Sequence, residues 1–185
     1  MKRFFIFAGT AIVILMVLWW AVTFYQTRQT KSFSPEEHVV FHQDDLTIKV
    51  FYNRPYKKDR EIFGKLVPYG KVWRTGANEA TTFETTKDLT IEGKVLRKGK
   101  YSLWTIPQEE TWTIIFNTEH GQWGINSDGE ANRKPELDAL SVVVRAFQQG
   151  KEFQQFTIAF DMTGEEAEMV LIWDTTLVAM PFTFD

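Results

Sequence analysis

The chain has 185 residues, with 24 Asp and Glu against 21 Lys and Arg, and no cysteine. The missing cysteines exclude disulfides, thiolate catalysis, Cys-ligated metals and a lipid-modified N-terminal Cys. Every acid lies beyond residue 32, where 17 basic residues leave a net charge of −7, a poor balance for holding a nucleic-acid backbone.

Met1-Lys2-Arg3 is followed by 22 residues, Phe4 to Tyr25, without an acid, Lys, Arg or His. As a helix this stretch is about 33 Å long, enough to cross a hydrocarbon core of roughly 30 Å. It ends in Trp19-Trp20-Ala21-Val22-Thr23-Phe24-Tyr25, which offers no small-x-small cleavage site, so an uncleaved anchor is expected over a removed signal peptide. Residues 1–25 are therefore read as a single membrane-spanning anchor, 26–37 as a polar linker and 38–185 as one domain. A basic N-terminus ahead of the first span favours the domain on the outer side of an inner (cytoplasmic) membrane.

Period-2 patterning recurs after the linker. Leu46, Ile48, Val50 and Tyr52 alternate along one strand, and His38–His42 forms a shorter one before a turn at Gln43-Asp44-Asp45. Further strands are expected at Thr81–Thr86, Leu89–Ile91, Gly99–Ile106, Thr111–Asn117, Ser141–Gln148, Phe153–Asp161, Glu168–Thr175 and Leu177–Phe182. Turns are expected at Glu92-Gly93, Arg97-Lys98-Gly99, Gln149-Gly150 and Thr163-Gly164. A helical turn or two fits Arg60–Leu66 and Lys134–Leu140. The spacing predicts an all-β domain, an antiparallel two-sheet β-sandwich of jelly-roll type, with a β-barrel as the alternative.

The densest motif is Val67-Pro-Tyr-Gly-Lys-Val-Trp-Arg-Thr-Gly-Ala-Asn-Glu79. With Asn53-Arg54-Pro55, Phe63-Gly64 and Gly99-x-Tyr-Ser-Leu103, it resembles the DUF2911 family over most of residues 38–182. The resemblance implies an exported bacterial β domain and no known activity.

Chemically, Arg54 and Arg74 present planar donor forks, Glu79 can accept both N–H groups of one fork, and Asn78 adds a donor and an acceptor. One reading makes Arg54, Arg74, Asn78 and Glu79 a pocket for a small polar ligand, an anion, a sugar or a peptide. The other makes them a salt-bridge network that pins a loop across strand ends. A hydrolase-like alternative uses Glu79 or His120 with the two arginines, and a third reading is an envelope domain that docks to another protein. His38 and His42 share a strand face but stand about 13 Å apart, so no metal site is assigned. Asn126-Ser-Asp-Gly129 lacks the register of a calcium loop. Trp73 is expected in the core, and so are Trp104, Trp112, Trp123, Tyr69 and Tyr101, which could stack on a sugar ring if exposed. No nucleophile elbow, phosphate loop or dinucleotide fingerprint is present, and no cofactor is expected.

Overall fold

The structure, a computed structural model, describes residues 2–164 and 166–184, with the side chains of 2–8, 10 and 11 outside the description. It divides into two compact units, 1–33 and 34–185. The first is one helix, α1, Lys2–Phe33. It runs on through most of the expected linker because nothing stops it earlier. Thr23, Thr27, Thr30 and Ser32 turn their hydroxyls back onto carbonyls three or four residues upstream. Pro35 then disfavours a helical Ser34. Among the described residues no helix is long and apolar enough to cross a membrane; part of the expected anchor, 4–25, lies outside the described side chains.

The second unit holds strands β1 (Glu36–Gln43), β2 (Leu46–Asn53), β3 (Thr82–Thr85), β4 (Leu89–Ile91), β5 (Lys94–Leu96), β6 (Gly99–Pro107), β7 (Thr111–Asn117), β8 (Asp138–Thr163) and β9 (Glu166–Phe182). A seven-stranded antiparallel sheet runs in the order β1-β2-β3-β6-β7-β8-β9, and β4-β5 forms a small second sheet. The two-residue turn Asp44-Asp45 sets Gln43 opposite Leu46. The β4-β5 turn places Glu92 and Gly93 both at positive φ, as a tight hairpin requires. Of the two expected helical stretches, 60–66 forms turns and 134–140 holds only a 3-10 turn at Pro135–Leu137.

The sandwich expectation is corrected here: one sheet curls into a half-barrel, and neither two stacked sheets nor a closed barrel forms. The cause is β8. The expected turn at Gln149-Gly150 is strand, and the two strands expected around it are one. β8 advances from Gln148 to Phe153 while β9 moves only from Thr176 to Asp174, then from Phe153 to Thr157 against Asp174 to Ile172. Those surplus residues make bulges that bend the strand. Asp174 takes a left-handed φ of 56° at the same place.

Beyond the bend, β8 returns to the chain that follows β2. Lys57 N–H donates to the Gln154 carbonyl at 2.6 Å and Phe156 N–H to the Pro55 carbonyl at 3.0 Å. Phe41 of β1 stacks on Phe160 at 5.1 Å.

The main core fills the curl. Leu46, Ile48, Val50 and Tyr52 are buried on the alternating face of β2. Phe63, Trp73, Trp112, Phe156 and Trp173 form an aromatic cluster with most ring centroids 4.9–6.2 Å apart. A smaller core of Ala80, Trp104 and Ile115, with Val72, Ile106 and Ala131 packed against it, lies apart from the main one. Side chains alternate along β6, so Leu103 enters the main core and Trp104 this second one. That second core holds the loop 67–81 and the loop 118–134 against the sheet. Trp123, expected in the core, is instead 41% exposed and lies outside it.

Candidate functional site

The motif loop fills the place beside β6 left empty where β3 ends. Trp73 and Thr105 exchange N–H···O=C bonds of 2.7 and 3.0 Å, Gly70 N–H donates to the Pro107 carbonyl, and Leu103 N–H donates to the Thr81 carbonyl. The loop turns on itself at Thr75, Gly76 and Asn78, all at positive φ. Thr75 is β-branched and strained there. It is held by full burial, by its hydroxyl's bond to Thr105, and by the Thr81 hydroxyl donating to its carbonyl at 2.7 Å. A second rung joins this loop to 118–134: Ala80 N–H donates to the Gln122 carbonyl and Gly124 N–H to the Asn78 carbonyl.

The structure separates the four residues that the sequence groups. Arg54 faces β8. Its Nε donates to the Phe156 carbonyl, one terminal nitrogen to the Thr157 hydroxyl, and the other to the Glu37 carboxylate at 3.1 Å. It is a clamp between β1–β2 and the returning half of β8. Asn78 is buried and donates to the Asn53 amide oxygen at 3.3 Å, while Asn53 donates to Glu79 Oε2 at 2.9 Å. Glu79 is thus held by a buried amide, and neither arginine places its fork on it.

Glu79 lines a depression of about 390 Å³ with His38, Lys49, Thr82, Glu84 and Lys100. His120 is exposed in the loop beside it and is not among the residues that line it.

Arg74 has a different environment. Its chain lies flat on Gly124, where an added Cβ would fall 2.0 Å from the arginine's Cδ. Its Nε is buried with no hydrogen-bond acceptor. Among the described residues none pairs with its guanidinium, by hydrogen bond or by charge. Burial alone pulls its pKa below the ordinary arginine value; the group remains a cation near neutral pH. Arg74 lines a cleft of about 270 Å³ with Leu66, Val67, Pro68, Val72, Ile125 and Ala131 as apolar walls, and with Lys71 and Glu130 also in the lining.

The profile of the family described as "Protein of unknown function (DUF2911)" matches residues 34–182. The chain belongs to the DUF2911 family. No curated protein and no solved structure matches it.

Within this DUF2911 domain, sequence reasoning picked the arginine that is left unpaired but not what surrounds it. Gly124 carries no signal of its own, and the cleft walls are ordinary aliphatics from three separate stretches. Asn53, next to Arg54 in the chain, is the residue that holds Glu79, and His38 shares a depression with Glu79 across 41 positions of sequence. Among the described residues no group of three or more His, Asp or Glu side chains comes together as a metal site.

Proposed function

We propose that this DUF2911 domain is a binding module for a small polar ligand that carries a negative charge, seated on Arg74, and that its N-terminal helix holds it at the outer side of a membrane. The observation that carries the binding half is the guanidinium with no acceptor. Its Nε–H has given up water without gaining an acceptor, a loss of about 1–3 kcal/mol. Structural arginines meet that cost as Arg54 does, with a carboxylate, a carbonyl and a hydroxyl. Arg74 leaves its donors to whatever enters the cleft, and a bound oxyanion would supply the missing acceptors in a geometry that suits the planar fork. A half-buried guanidinium with an unsatisfied Nε at the wall of a cleft is a candidate binding group.

The membrane half is supported by α1. From Ile12 to Trp20 each large apolar side chain is more than half exposed, an arrangement costly in water and natural in lipid.

A thermal-shift screen of the full-length chain in detergent against small carboxylates, phosphates and sugars tests the binding half. A ligand at a hundredfold excess over its Kd stabilises by about 2.7 kcal/mol. Anionic hits that vanish for Arg74→Gln and for Gly124→Ala, whose new methyl pushes the arginine off its bed, are the expected result. Hits that bind both variants as well as the parent would sink the assignment.

A further inference from the structure

We infer that the ligand of the Arg74 cleft is an amphiphilic monocarboxylate, a small acid with an aliphatic body; this rests on the anion-binding reading above and narrows it.

Three properties of the cleft lead there. The first is charge. The ionisable groups that line it are Arg74, Lys71 and Glu130, a net of one positive charge. A monoanion neutralises that balance. A phosphate dianion would leave it negative and would set excess charge near the Glu130 carboxylate, where like charges repel.

The second is donor number. One guanidinium edge meets the two oxygens of a carboxylate side by side. A tetrahedral phosphate asks for more donors than this edge supplies; among the described residues no helix end lines the cleft, and the one further charged donor there, Lys71, is offset by the Glu130 carboxylate.

The third is the wall. The side chains of Leu66, Val67, Pro68, Val72, Ile125 and Ala131 offer a sugar's hydroxyls no partner, and burying a hydroxyl unbonded is costly. They suit methylene groups. A volume of about 270 Å³ corresponds to roughly nine water-sized portions of ~30 Å³ each, which sets the acid at roughly six to nine carbons.

The positions that build the wall are separable from the one that binds charge. Leu66 is 44% exposed at the cleft, so it can be replaced without opening the core. Its neighbour Val67 is buried and belongs to the main core, which makes Leu66 the better probe of the wall.

The test is isothermal titration of the full-length chain with straight-chain acids from acetate to nonanoate, with Arg74→Gln in the same detergent as the control for partition into micelles. Affinity is expected to rise about fourfold per methylene until the cleft is full, and to be lost for every acid in Arg74→Gln. Arg74→Lys keeps the charge without the fork and is expected to weaken all the acids alike, with the chain-length trend intact. Leu66→Gln is expected to flatten the trend, with longer acids losing more affinity than acetate. The amphiphile assignment falls, with the anion site intact, if affinity is flat in chain length or if inorganic phosphate matches hexanoate. If no acid and no phosphate distinguishes the parent from Arg74→Gln, the anion site itself falls and this inference with it.

Discussion

At the scale of residues, Arg54 and Arg74 are the same side chain put to opposite uses. Arg54 spends its donors on Phe156, Thr157 and Glu37, so its removal strands acceptors on two strands. Arg74 spends none on the described residues, and its buried Nε has no acceptor. Arg74→Met keeps the length of the chain that lies on Gly124 and deletes the charge. It is expected to stabilise the unliganded protein by about 1 kcal/mol, which for a domain of this size moves Tm up by roughly 3 °C. A loss of stability on that substitution would mark Arg74 as a strut and not a binding group. The contrast was half legible in the sequence. A motif rich in Arg, Asn and Glu announces polar chemistry, but which arginine finds an acid depends on Glu37, 17 positions upstream of Arg54 on the neighbouring strand, and that pairing exists only once β1 and β2 are in register. Nothing in the residue types says that Asn53 and not an arginine will hold Glu79.

Elements show a different balance. β2 could be read directly, because Leu46, Ile48, Val50 and Tyr52 alternate and one face of the strand is buried. The early strands on either side of the turn at Asp44-Asp45 follow for the same reason. β8 could not be read so, because its bend is made by a mismatch with β9 and not by a turn residue of its own. Gln149-Gly150 therefore looked like a break in a strand that in fact runs from Asp138 to Thr163.

The bent half is tied back through Tyr52, whose ring meets Phe156 edge-on at 5.7 Å and whose hydroxyl oxygen accepts the Ile158 N–H at 3.0 Å. Tyr52→Phe leaves that N–H without an acceptor and is expected to cost about 1 kcal/mol at neutral pH. Burial also raises the pKa of the Tyr52 phenol above its usual value. The native state therefore holds the proton at a pH where the unfolded chain has released it. Stability from this group is complete below the unfolded tyrosine pKa of about 10 and declines as pH climbs from there to the raised native value. Tyr69 and Tyr101 shift the same way, with burial the leading cause in each. Urea melts across the alkaline range should show stability falling above about pH 10, with a shallower fall in Tyr52→Phe. Parallel slopes for parent and variant would mean that Tyr52 ionises as freely in the fold as out of it.

At the scale of the whole molecule, the two units differ in what they bury. Residues 34–185 bury Trp, Phe, Leu, Ile, Val and Met around one curled sheet, while the large apolar side chains of α1 from Ile12 to Trp20 stay exposed. A chain with no cysteine must hold that curled sheet by packing and hydrogen bonds alone, and the aromatic cluster around Trp73, Trp112 and Trp173 supplies much of the buried area, each fully buried aromatic contributing about 2–3 kcal/mol. Such a domain needs no oxidising compartment, so its fold does not bear on the proposed membrane placement, and the basic residues near α1 are the remaining guide. Lys2 and Arg3 adjoin the apolar stretch directly, while Arg28 and Lys31 lie three and six positions beyond Tyr25, a small difference that supports the proposed cytoplasmic N-terminus. A reporter active only outside the cytoplasm, joined after Asp185, is expected to work in cells. Moving Arg28 and Lys31 from the C-terminal flank of α1 to its N-terminal side should leave that result unchanged. Moving Lys2 and Arg3 to the far flank should reduce it sharply, because the charge bias then reverses. A reporter active only in the cytoplasm that works after Asp185 in the unaltered chain would place the Arg74 cleft among cytoplasmic acids, and the candidates for its ligand would change with it.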